Sequence, residues 1–158
     1  MSCAIYCTAC KWNGNTGNSD GQDIPKVDDS QLAYHNPVIR IAAPDPTAMR
    51  AKDGYFYLYA TEDIRNLPIF RSRGMVKWEE IGTAFTDETR PDFLPDNKDV
   101  KERAHLWAPE IRYVKGKYVL FYSLAQWGNH WVSTVGYAVS DSPEGPFTPK
   151  GKVFDSVK

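Results

Sequence analysis

The stretch Ala48-Met49-Arg50-Ala51-Lys52-Asp53-Gly54-Tyr55-Phe56-Tyr57-Leu58-Tyr59-Ala60-Thr61 returns 62 residues later as Glu110-Ile111-Arg112-Tyr113-Val114-Lys115-Gly116-Lys117-Tyr118-Val119-Leu120-Phe121-Tyr122-Ser123. At that spacing Arg50 falls on Arg112, Gly54 on Gly116, Phe56 on Tyr118, Leu58 on Leu120 and Tyr59 on Phe121. Each copy reads as a strand, an Asp-Gly or Lys-Gly turn and a second strand. Glycine accepts the positive φ that a two-residue hairpin requires. The second strands, residues 55–60 and 117–123, run almost continuously apolar and aromatic, the pattern of strands buried on both faces.

Outward from the hairpins, each copy continues with a third strand (67–72 and 132–140) and a turn, Arg73-Gly74 or Asp141-Ser142-Pro143-Glu144-Gly145. A bulky aromatic follows, Trp78 or Phe147, and then a short last strand (81–85 and 150–154). Four strands per unit and a spacing near 60 residues are the dimensions of a β-propeller blade. The expected fold is all-β, with blade 1 over about 36–85 and blade 2 over about 105–156. Two hairpins of one β-sandwich are the alternative. No apolar period of 3.6 residues argues for helices. The link between the units, about residues 86–104, is long and charged, and reads as a solvated loop or as a rim bordering a groove.

Composition sets outer limits. The chain is 42% hydrophobic and 25% charged with a formal net charge of −1, so no basic excess points to nucleic acid or to an anionic membrane. Aromatic residues make up 13%, which suits strand cores and equally suits stacking on sugar rings. Cys3, Cys7 and Cys10 are the only cysteines. Cys7 and Cys10 form a C-x-x-C pair, but a zinc site needs two further ligands and no second pair or His cluster follows, so no metal or cofactor is expected. His35, His105 and His130 are scattered and read as polar loop residues. Residues 1–34 are polar and Gly/Asn/Asp-rich and read as disordered. Within them, the small apolar run ending Thr8-Ala9-Cys10, with a Gly/Asn/Ser tether after it, resembles the tail of a bacterial lipoprotein signal. Cys7 stands where Leu is usual, and no Lys or Arg precedes the run. A lipid anchor on Cys10 and a cell-envelope or secreted location are the corresponding expectations.

Asp45, in Ala43-Pro44-Asp45-Pro46-Thr47, lies between two prolines that restrict the backbone on both sides. Such a segment serves as a turn or as a mount that holds a carboxylate in one direction. Trp107, at the same 62-residue spacing, heads the second unit in Trp107-Ala108-Pro109-Glu110. Glu144 reads as a solvated turn residue.

These motifs, with Gly54-Tyr55-Phe56-Tyr57-Leu58, Gly116-Lys117-Tyr118 and Ser140-Asp141-Ser142-Pro143-Glu144-Gly145-Pro146-Phe147, resemble in order and spacing the first two blades of glycoside hydrolase family 43, over about residues 36–156. The resemblance implies a five-bladed β-propeller that hydrolyses arabinan, arabinoxylan or a related plant-type pentose polymer with inversion. It implies Asp45 as general base, Trp107 as an aromatic beside the sugar and Glu110 as a support for the blade. It also implies that the acid and a third carboxylate come from later blades, so that this chain is an N-terminal portion. The rival reading is a glycan-binding propeller without catalysis, holding sugar on aromatics such as Trp107, Trp127 and Trp131.

Overall fold

A computed structural model of the chain describes residues 36–93, 104–126 and 132–155. The N-terminal stretch with Cys10 and His35, the middle of the charged link, and Trp127, His130 and Trp131 lie outside the described residues. Eight strands are present: β1 (Thr47–Arg50), β2 (Phe56–Tyr59), β3 (Pro68–Ser72), β4 (Glu79–Thr83), β5 (Ala104–Val114), β6 (Lys117–Gln126), β7 (Val132–Ser140) and β8 (Thr148–Asp155). They form two four-stranded sheets, ordered β1-β2-β3-β4 and β5-β6-β7-β8, in which every neighbouring pair is antiparallel. Each sheet is therefore a meander built by successive hairpins.

The two repeated turns differ in length. In the second sheet Val114 pairs with Lys117 across Lys115 and Gly116, at φ 48° and 86°, the two-residue turn that needs positive φ twice. In the first sheet Ala51 donates its N–H to Tyr55 O at 2.8 Å, and Gly54 donates to Ala51 O at 3.1 Å, so three residues form the loop. Only Gly54, at φ 85°, is left-handed there, and Asp53 Oδ1 steadies it by accepting from the Tyr55 N–H at 3.0 Å. The expected two-residue turn is thus corrected for the first copy. The extra residue also corrects the repeat. Thr47 pairs with Tyr59 and Glu110 pairs with Phe121. The second strands correspond at 62 residues, but the first strands correspond at 63, so Arg50 matches Tyr113 rather than Arg112.

The expectation that β2 and β6 are buried on both faces is also corrected. Tyr57 and Tyr59 of β2 and Tyr118, Leu120, Tyr122 and Leu124 of β6 are buried, while the alternating Phe56, Leu58, Val119 and Phe121 are only half-buried. The buried set faces the seam between the sheets. Phe85, just beyond β4, meets Tyr122 edge-on at 5.4 Å, and Phe147, just ahead of β8, meets Tyr59 edge-on at 6.0 Å. Each such ring is worth roughly 1.5–3 kcal/mol of burial, with about 0.5–1.5 kcal/mol more for the edge contact.

Backbone and side-chain hydrogen bonds close the same seam. Phe147 N–H donates to Ala84 O at 3.0 Å, and the Tyr59 hydroxyl donates to Pro143 O. Glu144 was expected as a solvated turn residue. It is half-exposed, but it accepts from Arg71 Nη1 at 2.9 Å and from the Tyr57 hydroxyl at 3.2 Å, both in the first sheet. Burial of Phe147 pulls the turn down onto β2 and β3, and that brings Glu144 within reach.

Candidate active site

β1 and β5 are the first strands of their sheets and lie side by side, with Thr47 Oγ1 donating to Glu110 Oε2 at 3.0 Å. Asp45 stands just ahead of β1. Its backbone is left-handed, at φ 48°, a conformation an Asp tolerates better than most residues. The ladder shows why it is there. Thr47 pairs with Tyr59, and the next contact is Thr61 N–H donating to Pro44 O at 2.9 Å. Asp45 and Pro46 therefore face one residue, Ala60, which is the two-against-one count of a β-bulge. The second sheet has the same irregularity, because Trp107 pairs with Ser123 and Glu110 with Phe121, leaving Ala108 and Pro109 opposite Tyr122. Ala108, at φ 43°, is the backbone counterpart of Asp45. Trp107 instead corresponds to Pro44. A bulge re-aims the side chain it carries, and here it presents the Asp45 carboxylate at the exposed end of the β1–β5 seam.

Thr61 links the two bulges. Its Oγ1 donates to Asp45 Oδ2 at 2.8 Å and accepts the Ala108 N–H at 2.7 Å. Asp45 is thereby joined through one side chain to the residue that follows Trp107. Trp107 itself is half-buried on β5. Glu110 is paired with Arg112 and holds Thr47, consistent with a supporting role.

Immediately after Thr61 comes a cluster that no sequence motif marks. Glu62 has 2% of its side chain exposed. Arg90 grips both of its oxygens, with Nη1 at 2.7 Å from Oε2. The Asn66 and Leu106 N–H groups each donate to it at 2.8 Å. Glu62 N–H returns a bond to Leu106 O at 3.0 Å, and Arg90 Nη2 reaches Ala104 O at 3.0 Å. His105 Nδ1 lies 3.4 Å from Glu62 Oε1 with its ring half-exposed; it sits on β5 paired with Ala125, which corrects the expectation of a loop residue. Burial pushes the Glu62 carboxyl up, but Arg90 and the two backbone donors outweigh it and hold the group below its ordinary range. This cluster ties the first sheet to the start of β5 one residue from Thr61. The described residues contain no group of three or more His, Cys, Asp or Glu placed to hold a metal ion.

Comparison with known proteins bears on the fold and the family. The chain is 31% identical over 126 residues to an extracellular endo-alpha-(1->5)-L-arabinanase of Thermotoga petrophila, covering 73% of this chain and 25% of that protein. It is 29% identical over 118 residues to a xylan 1,3-beta-xylosidase of a Vibrio species, covering 72% and 21%. Among solved structures it matches a thermostable family-43 glycoside hydrolase at TM-score 0.62 and 30% identity, over 79% of this chain and 38% of that one. It matches the alpha-L-arabinanase of Cellvibrio cellulosa at TM-score 0.60 and 30% identity, over 75% and 37%. The chain thus spans about a fifth to a third of the length of the curated relatives it matches. The two sheets are two blades of the five-bladed β-propeller shared by these structures. The model of the glycosyl hydrolases family 43 matches residues 34–158, and the chain belongs to that family.

Proposed function

We propose that these two blades carry the general base of an inverting glycoside hydrolase that cuts arabinan or a related pentose-containing polysaccharide, with Asp45 as the base. The observation that carries the reading is the Asp45 bulge. It is a strained, proline-flanked, solvent-facing carboxylate at the seam of the two innermost strands, with one oxygen held by Thr61. Left-handed non-glycine residues cost about 1–3 kcal/mol and cluster at functional sites. Trp107, two residues from the matching bulge's proline, offers an indole as a wall for a sugar ring. The relatives are named for arabinan and xylan substrates, which supports a pentose polymer as the target.

In the step proposed, a water oxygen bonds to the anomeric carbon while its proton passes to Asp45. The glycosidic C–O bond breaks on the opposite face, and the leaving oxygen takes a proton from a second carboxylic acid. Inversion needs those two carboxyl groups roughly 6.5–9.5 Å apart. That acid is assigned to a blade beyond these two. The test is Asp45→Asn in a five-bladed polypeptide carrying these residues, assayed on linear arabinan with the product anomer followed by NMR. The expected result is near-complete loss of turnover with unchanged folding; retained turnover removes Asp45 from the mechanism. Persistent binding to arabinan, with no cleavage by either protein, would favour the binding-module reading instead.

Several relatives are named extracellular, which supports secretion; Cys10 is the site proposed for a lipid anchor on the strength of the lipoprotein-like run that ends there. Palmitate labelling in a bacterial host, abolished by Cys10→Ser, tests the anchor.

A further inference from the structure

We propose that Thr61 is a positioning residue that decides which oxygen of Asp45 receives the proton from water, an inference that rests on the reading of Asp45 as the base. A threonine hydroxyl has one proton to give and lone pairs to accept with. At Thr61 the Ala108 N–H, 2.7 Å away, occupies the acceptor side, and the proton is directed to Asp45 Oδ2 at 2.8 Å. The polarity of the chain Ala108 N–H to Thr61 O–H to Asp45 is therefore fixed, because an N–H only donates and an ionised carboxylate only accepts. The same residue's backbone N–H holds Pro44 O at 2.9 Å, so hydroxyl and main chain grip the Asp45 segment together. A β-branched side chain with few χ1 choices keeps that hydroxyl in place.

The consequence is an asymmetric carboxylate. Oδ2 is committed to Thr61, and the described residues give Oδ1 no donor, so Oδ1 is the oxygen that takes the proton. The donor in turn is set by the neighbouring blade, because Ala108 presents its N–H only through its own left-handed bulge. Docking of the two blades thus orients the base, and Thr61 carries that orientation across the seam.

The test compares Thr61→Val, Thr61→Ala and Thr61→Ser in the same five-bladed polypeptide, beside Asp45→Asn. Losing a hydrogen bond to a charged group predicts a fall in kcat of about tenfold or more for Val and Ala, with KM within about twofold. Thr61→Ser, which keeps the hydroxyl, should recover most of kcat. Val added to Asp45→Asn should lower turnover no further. A variant that merely loosened the fold would lower the active fraction equally in the Asp45→Asn background. If Val fails to fold, Ala, which is smaller and also lacks the hydroxyl, carries the comparison. Unchanged kcat in Val or Ala, or a Ser variant as impaired as Val, overturns the role of Thr61 while an inactive Asp45→Asn leaves the base reading standing. An active Asp45→Asn overturns both.

Discussion

Glu62 keeps its charge with almost no contact with solvent because four donors meet it, and the arrangement makes the residue sensitive in a definite direction. Its folded carboxyl binds a proton less readily than the ordinary value of 4.5 describes. The stability it contributes is therefore fully present above that value and is lost as the pH falls through the lower, folded one. Thermal melts between pH 7 and pH 3 should show a drop on the acid side that Glu62→Gln flattens. Arg90→Ala strands the buried carboxylate and should lower stability by about 3–5 kcal/mol, measurable by urea unfolding. A drop below about 1 kcal/mol would mean that the cluster is a surface pair in effect. Little of this was legible in the sequence. Glu62 follows an apolar strand, and Arg90 lies in a charged link that reads as solvated. Their meeting depends on how β5 returns past the first blade. Thr61 did leave a trace, since both copies of the repeat end on a hydroxyl, Thr61 and Ser123.

Among the elements, the hairpins carry the clearest lesson. The Gly54 and Gly116 turns fall where the Asp-Gly and Lys-Gly pairs place them, because each needs positive φ and offers glycine for it. The first turn is one residue longer than the 62-residue spacing implies, and that makes Ala108, not Trp107, the counterpart of Asp45. Sequence spacing counts residues, so a loop one residue longer shifts every residue on the strand before it by one while leaving the apolar pattern of either strand intact. Gly136 makes a different demand. It pairs with Tyr122 across β6 and β7, and a Cβ there would stand 2.9 Å from Phe93 Cε2 and from the Tyr122 ring and hydroxyl. Gly136→Ala should therefore destabilise the second blade by about 1–3 kcal/mol, as overpacking does. A variant that melts with the parent would show that the two rings yield freely.

As a whole molecule, the two blades cover one face of each other and leave the other faces half-open. Phe56 and Leu58 are half-buried on one side, Phe121 and Tyr137 on the other, and Phe154 on β8 is 60% exposed. Apolar surface of this kind drives association. The 158-residue chain by itself should sediment as concentration-dependent oligomers, and a clean monomer of 17.9 kDa across the micromolar range would count against it. It should also fail to hydrolyse arabinan or aryl pentosides measurably. Loss of general-acid assistance alone lowers rates by on the order of 10²–10⁴-fold. Subsite walls that the proposed function assigns to later blades would be missing from the short chain, and with them the positioning that makes the attack effectively intramolecular. Robust turnover by the short chain would require the acid to lie within these two blades.

Taken alone, the sequence determined the strand-rich class, the blade repeat, the turns at Gly54 and Gly116 and the proline-flanked Asp45, because each is a local demand on φ, pattern or composition that neighbouring residues answer. The tertiary structure alone decided that Asp45 sits in a bulge matched by Ala108, that Thr61 joins the two, that Glu144 holds Arg71 and Tyr57, and that Glu62 is buried against Arg90. Those pairings are separated by 16 to 87 residues. Contacts at such distances are fixed by register and by which faces are buried together, and no local pattern records either.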